Sequence, residues 1–166
     1  MENTIKAAAL YAAIKYVTDP RHGDVYAFPM VVSKQGLSLY VVNRDQLLNA
    51  LTTERALELG HLKIEGNVCK VRSHSLMTLR QTYGAPKAII KLDGYKDYKS
   101  LPLDPSECAG RRARTFEKLA CKALGYKWVG GLNNVQIDGI GPHDRLEVKG
   151  MRGRIDAYMP SRVDKD

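Results

Sequence analysis

The stretch Val135–Lys149, VQIDGIGPHDRLEVK, decides the expected fold of this chain. Apolar and polar residues alternate on either side of Gly139–Asp144, a segment rich in glycine with one proline. Successive side chains of a strand point to opposite faces of a sheet, so the alternation predicts two strands, Val135–Asp138 and Arg145–Lys149. The segment between them is the expected turn of a hairpin.

The expected hairpin gathers charged side chains on one face. Leu146 and Val148 share the buried face, while Glu147 and Lys149 share the other and are expected to face a basic concavity. Asp138 on the first strand joins them there. Two neighbouring carboxylates repel one another unless a cation lies between them, and hard oxygen ligands favour Mg²⁺. A lysine beside such an ion orients the attacking water and offsets charge on a phosphate.

A helix and a short strand are expected just before this hairpin. Arg111–Leu124 predicts a helix that ends at Gly125, and Tyr126–Val129 predicts the strand. The apolar stripe of the helix consists of Phe116, Leu119, Ala120, Ala123 and Leu124.

Asp138, followed nine positions later by the triplet Glu147–Lys149, resembles the PD-(D/E)xK nuclease superfamily, which includes restriction endonucleases and Holliday-junction resolvases. The segment Arg114–Leu119 is similar to the helix that often supplies a further carboxylate in that superfamily. The resemblance implies that Asp138 and Glu147 hold the metal, that Lys149 serves the water, and that Glu117 supports the site.

The resemblance covers Arg111–Arg154 and implies a restriction-endonuclease-like core near the C-terminus. Ile137 stands where the superfamily pattern has proline, and only 17 residues follow Lys149. The early helix and strands therefore either complete the core in a rearranged order, or the core is shortened. A plain structural hairpin with a solvated polar face is the alternative interpretation of the same residues.

The rest of the chain predicts an α/β or α+β protein with a mixed central sheet flanked by helices. We divide it into an N-terminal helix-and-strand region, 1–100, and the nuclease-motif region, 101–166, which form either one domain or two. The predicted elements of the first region are helix Asn3–Val17, strands Val25–Ser33 and Leu37–Val42, helix Arg44–Leu59, the strand pair His61–Arg72 turning at Gly66-Asn67, and strand Lys87–Leu92, followed by a loop, Lys96–Gly110.

The charge balance indicates a polyanionic partner. Twenty-six lysines and arginines against 18 acidic residues leave a net charge of +8. Neutralising phosphates with such residues releases counterions, which favours binding to nucleic acid, and DNA is the expected partner. The candidate nucleic-acid-binding residues are Arg111, Arg112, Arg114, Lys118, Lys122, Arg152 and Arg154.

Other protein classes are less compatible with the sequence. No stretch approaches the roughly 20 apolar residues of a membrane span, and Met1–Leu10 lacks the basic start of a signal peptide. Three cysteines without CxxC spacing argue against a disulfide framework or a structural zinc site. We therefore expect a cytoplasmic protein without a membrane partner.

The sequence thus predicts a Mg²⁺-dependent DNA endonuclease or resolvase-like phosphodiesterase. A homodimer is expected, since cutting two strands needs two sites. The alternative is a non-catalytic nucleic-acid-binding or protein-binding regulatory factor, for example one encoded by a phage.

Overall fold

The computed structural model describes backbone residues 2–32, 36–52, 62–65, 68–71, 76–103, 112–130, 137–149, 151–152 and 156–158, with the side chains of 10–30, 36–52, 76–103, 112–130 and 137–149. The helices are α1 Glu2–Thr18, α2 Arg44–Thr52, α3 Leu76–Tyr83 and α4 Ala113–Leu124, with a 3₁₀ turn at Tyr98–Ser100. The strands are β1 Val25–Val32, β2 Gly36–Asn43, β3 Leu62–Glu65, β4 Val68–Val71, β5 Ala88–Lys91, β6 Lys127–Trp128, β7 Gly139–Ile140, β8 Arg145–Val148, β9 Met151–Arg152 and β10 Asp156–Tyr158.

Six strands form a mixed sheet in the order β5-β2-β1-β8-β7-β6. Strands β1 and β8 are parallel, and the other neighbours in this sheet are antiparallel. A second sheet has the order β3-β4-β10-β9. The predicted mixed sheet flanked by helices is confirmed, and the protein is an α+β protein.

Each face of the six-stranded sheet is covered by helices. Alternate side chains of β1 and β2, including Tyr26 and Phe28, pack with α1, α2 and α3. The intervening side chains, including Val25 and Ala27, pack with Phe116 of α4. Strands in the middle of the sheet are therefore buried on both faces, which explains their long apolar runs.

The early part of the chain completes the sheet that holds the last third. Strand β1 lies directly beside β8, and Tyr26 is opposite Glu147 in the register. The helix before β1 consequently covers the face of β8 from which the Glu147 side chain projects. The early strands β1, β2 and β5 therefore belong to the same sheet as β6, β7 and β8.

Several element boundaries differ from the sequence-based predictions. Strand β7 is Gly139–Ile140, within the segment predicted to be the turn, because Gly141 N–H donates to Asp144 O and so closes a shorter turn. Ile137 and Asp138, at the end of the predicted strand Val135–Asp138, are not in a strand, and residues 131–136 lie outside the described residues. Residues 53–59 of the second predicted helix and the Gly66-Asn67 turn also lie outside them. Helix α3 was not predicted.

The predicted end of helix α4 is confirmed. Gly125 adopts a left-handed conformation with φ of 78°, and its N–H caps the helix. Among the described residues, every helix is too short or too polar to cross a bilayer.

Candidate active site

Strand β8 presents different chemistry on its two faces. Leu146 and Val148 are buried in the apolar layer beneath α4. Glu147 and Lys149 lie on the opposite face, as strand alternation requires. The Lys149 Nζ atom is 3.2 Å from Glu147 Oε2, so the two side chains form an ion pair.

The carboxylate of Glu147 is enclosed and anchored. Its side chain accepts hydrogen bonds from Tyr16 Oη at 2.8 Å and from Gly23 N at 2.7 Å, in addition to the Lys149 contact. Glu147 is only 1 % exposed, because the end of α1 covers this face. The prediction that Glu147 faces a basic concavity is therefore wrong. A buried carboxylate needs these partners, since burying an unpaired charge is costly.

The loop that supplies Gly23 is itself tied down. The Arg44 guanidinium donates to Gly23 O at 3.1 Å and to Asp24 Oδ1 at 2.8 Å. The other Asp24 oxygen accepts from Arg145 N at 3.1 Å. The start of α2 and the start of β8 thus hold the loop so that the Gly23 N–H points at Glu147.

Lys149 is placed by the backbone and by an aromatic ring. Its N–H donates to Ala27 O at 2.9 Å and continues the pairing of β8 with β1. The Nζ atom lies 5.0 Å from the centroid of the Tyr16 ring, within cation–π range. The Lys149 side chain is 18 % exposed, so the ammonium group lies near the surface while Glu147 lies beneath it.

Asp138 lies where the pairing of β7 with β8 ends. Its N–H donates to Leu146 O at 3.0 Å, and its side-chain Oδ2 accepts from Val148 N at 2.7 Å. The carboxyl group therefore takes the place of a neighbouring strand beside β8. This position brings it close to the Glu147–Lys149 pair from the edge of the strand.

Glu117 approaches Asp138 from helix α4. The Glu117 side chain lies within hydrogen-bonding reach of Asp138, and this contact lowers the pKa of Asp138. Glu117 Oε1 also accepts from Trp128 Nε1 at 3.4 Å. A Cβ atom at Gly130 would lie 2.6 Å from the same Oε1 atom, so glycine leaves room for the Glu117 carboxyl group.

Burial raises the pKa of Asp138 above its ordinary value. The hydrogen bonds from Val148 N–H and with Glu117 oppose this rise, as does the Lys149 ammonium, while Glu147 adds to it. Asp138 thus interacts with all three of the other predicted catalytic residues.

The four predicted catalytic residues form two contacting pairs. The Glu147–Lys149 pair lies on the face of the sheet that α1 covers. The Asp138–Glu117 pair lies on the side of α4. Asp138 links them at the end of the β7–β8 pairing. Within the described part of the chain, no group of three or more histidine, cysteine or acidic side chains has the arrangement of a complete metal site. Mg²⁺ often uses only one or two carboxylates and retains water, so a site for it needs fewer protein ligands than such a group.

The predicted nucleic-acid-binding residues differ in their surroundings. Lys118 and Lys122 are exposed on α4, and Lys118 Nζ is 4.7 Å from the centroid of the Trp128 ring. Arg112 donates to Leu101 O at 2.9 Å and so helps to hold the start of α4, whereas Arg114 is half-buried. The side chains of Arg111, Arg152 and Arg154 lie outside the described residues.

Three further residues surround Glu147 that the sequence patterns do not indicate, namely Tyr16, Gly23 and Tyr26. Tyr16 and Gly23 are 131 and 124 positions away from Glu147, and no local pattern connects them. Tyr26 is fully buried opposite Glu147, and its hydroxyl has no hydrogen-bond partner among the described residues. The parallel pairing of β1 with β8 brings these residues to Glu147.

Comparison of the chain with known protein families, with curated proteins and with solved structures gave no match.

Proposed function

We propose that this protein is a metal-dependent DNA endonuclease or a resolvase-like phosphodiesterase. The observation that carries the proposal is the position of the Asp138 carboxyl group. It accepts a hydrogen bond from Val148 N–H. Glu117 lies on one side of it and the Glu147–Lys149 pair on the other. Carboxylates with an adjacent lysine are the groups that metal-assisted phosphodiester hydrolysis requires.

The raised pKa of Asp138 supports a cation at this position. Burial disfavours the charge on Asp138, and the neighbouring Glu147 carboxylate disfavours it further. A divalent cation would offset both effects. Asp138 and Glu147 would hold Mg²⁺, which supplies charge stabilisation to the phosphate and lowers the pKa of a bound water.

The protein side chains have separate roles in this proposal. Lys149 orients the attacking water and offsets charge that develops on the phosphate, because its ammonium lies next to Glu147 and near the surface. Glu117 keeps Asp138 in position through their hydrogen bond.

DNA is the proposed substrate because of the charge of the chain. The net charge is +8, and Lys118, Lys122 and Lys127 are exposed on α4 and β6, the elements that adjoin Glu117. Phosphates of a bound duplex would lie against these lysines. We further propose that the protein is cytoplasmic and that it acts as a homodimer. A dimer is proposed because cutting both strands of a duplex needs two sites.

The test is cleavage of supercoiled plasmid and of a branched oligonucleotide duplex with Mg²⁺, compared with EDTA. The parent should cut at least one of them only with Mg²⁺, and Asp138→Asn should not cut either. Asp93→Asn is the matched control, because Asp93 is an exposed aspartate in the loop after β5. Metal-independent or absent cleavage by the pure parent would refute the nuclease.

One observation favours a second candidate, a non-catalytic nucleic-acid-binding or protein-binding regulatory factor. Both oxygens of Glu147 are already engaged, by Gly23 on one side and by Tyr16 and Lys149 on the other. In this alternative the ion pair only stabilises the sheet. Such a factor would retard DNA in a gel, or bind a protein partner, without cutting DNA under any metal condition.

A further inference from the structure

Trp128 is the only tryptophan of the chain and lies on β6, an edge strand of the six-stranded sheet. The half-buried indole packs against the apolar layer beneath α4. The ammonium group of Lys118, an exposed residue of α4, lies over the ring at 4.7 Å from its centroid. In the described part of the chain, one face of the ring is therefore covered by the end of a flexible side chain rather than by an apolar group.

The orientation of the indole is fixed at its edge. Trp128 Nε1 donates to Glu117 Oε1 at 3.4 Å, and Glu117 in turn contacts Asp138. A Cβ atom at Gly130 would lie 2.9 Å from the same Nε1 atom, so the glycine leaves room for the edge of the ring. Aromatic rings stack through their faces, and a ring that is held by its edge keeps a face in a constant position for a ligand.

Basic side chains lie along the side of α4 that carries Lys118. They are spaced four positions apart, which places them on one side of the helix at intervals of about 6 Å. They are Arg114, Lys118 and Lys122. Glu117 is the only acidic residue of α4. Trp128 therefore lies beside a run of positive charge, which complements the phosphate backbone of a nucleic acid.

We propose that Trp128 is a stacking platform for an unpaired base of DNA, an inference that rests on the DNA binding of the proposed function. The base displaces the Lys118 ammonium from the ring, and the phosphates beside it contact the basic side of α4. A paired base cannot take this position, because both of its faces are stacked on neighbouring bases in the duplex. The substrate is therefore DNA with a single-stranded segment or an unpaired nucleotide, which lies next to Glu117 and Asp138.

Tryptophan fluorescence tests the inference on the parent protein, because Trp128 alone gives the signal. The parent is titrated in EDTA with a short oligothymidine strand, with a blunt DNA hairpin, and with the same hairpin carrying one unpaired thymidine. We expect the strand and the hairpin with the unpaired thymidine to quench the fluorescence by stacking, and the blunt hairpin to bind without quenching. Equal quenching by the two hairpins, or no quenching by any of the three, would overturn the inference.

Two variants at the same position separate stacking from packing. Trp128→Leu and Trp128→Phe both lose the indole N–H that donates to Glu117, and only Trp128→Phe keeps a ring. We expect Trp128→Leu to bind oligothymidine about 5- to 150-fold more weakly than the parent, and Trp128→Phe to retain most of the affinity. Both variants should bind the blunt hairpin as the parent does. Equal losses of oligothymidine affinity in the two variants would mean that Trp128 has a structural role and would overturn the inference.

Cleavage with Mg²⁺ is measured separately on the same preparation of the parent. Quenching as expected without any cleavage would refute the proposed nuclease and support the stacking platform. Cleavage of DNA by a parent whose fluorescence does not respond to oligothymidine would overturn the inference alone. Stronger quenching by oligouridine than by oligothymidine would assign the platform to RNA and overturn the choice of DNA.

Discussion

Gly23 and Glu147 are 124 positions apart in the chain and are in direct contact. The Gly23 N–H donates to Glu147 Oε1 at 2.7 Å, and a Cβ atom at position 23 would lie 2.9 Å from Glu147 Cγ and 3.0 Å from Glu147 N. A separation below 3.0 Å forces one of the two groups to move. The Glu147 carboxylate therefore depends on the absence of a side chain at position 23.

Gly23→Ala should reduce the free energy of unfolding by about 1–3 kcal/mol, the usual cost of overpacking a buried site. Urea denaturation checks this value. The same substitution in a Glu147→Ala background should cost less, because the clash with Cγ is then gone. Equal costs in the two backgrounds would show that the Glu147 side chain beyond Cβ is not what restricts position 23.

Glu147→Ala should abolish Mg²⁺-dependent cleavage while DNA binding persists or becomes tighter. The substitution removes a metal ligand and also lessens the repulsion between the site and phosphate. A cleavage assay and a gel-retardation assay on one preparation measure the two activities. Asp93→Ala, at an exposed aspartate, is the control that should change neither. Unchanged cleavage by Glu147→Ala would eliminate the proposed site.

DNA binding should weaken steeply as the salt concentration rises. The double variant that combines Lys122→Ala and Lys127→Ala should lower the slope of log affinity against log salt by up to about two units. Both side chains are exposed, on α4 and β6. The control is the double variant that combines Lys91→Ala and Lys99→Ala, which removes the same amount of charge elsewhere. Lys91 lies on β5, at the opposite edge of the sheet from β6. Equal slopes for the two double variants would place the DNA-binding surface elsewhere.

Without divalent metal, Asp138→Asn should become progressively more stable than the parent as the pH rises from about 4 to 8. The folded-state pKa of Asp138 is raised by burial. Its contribution to stability is therefore fully present below the unfolded value of about 3.9 and is lost as the pH rises through the folded value.

Melting temperatures of the parent and Asp138→Asn in EDTA across this pH range measure the effect. Adding Mg²⁺ at pH 8 should stabilise the parent and leave Asp138→Asn unchanged, since metal binding favours the folded state. A difference between the two proteins that does not vary with pH would contradict the raised pKa.

Tyr26→Phe should leave the protein as stable as the parent or more stable by up to about 1 kcal/mol. A buried hydroxyl without a partner lowers stability, and that of Tyr26 has none among the described residues. Tyr40→Phe is the matched comparison on the adjacent strand, because the Tyr40 hydroxyl donates to Gly84 O and its loss should cost about 1 kcal/mol. Equal destabilisation by both variants would reveal a partner of Tyr26.

The local patterns in the sequence were sufficient for most of the elements near the site. Helix α4 ends at Gly125 as predicted, and Arg145–Val148 is a strand with Leu146 and Val148 buried. These features follow from periodicity and from the left-handed conformation that glycine adopts, both of which depend on near neighbours in the chain. The end of the preceding strand was misplaced, at Asp138 rather than Ile140, because the turn is shorter than the glycine pattern indicated.

The sequence by itself determined that Glu147 and Lys149 share one face of a strand, since alternation is a property of the backbone. Only the tertiary structure decided that this face is covered by α1, with Tyr16 and Gly23 bonded to Glu147. Those contacts depend on the parallel pairing of β1 with β8, which joins segments more than 100 residues apart. A polar face on a strand looks the same in sequence whether water or another helix lies against it, because local patterns do not specify the partner.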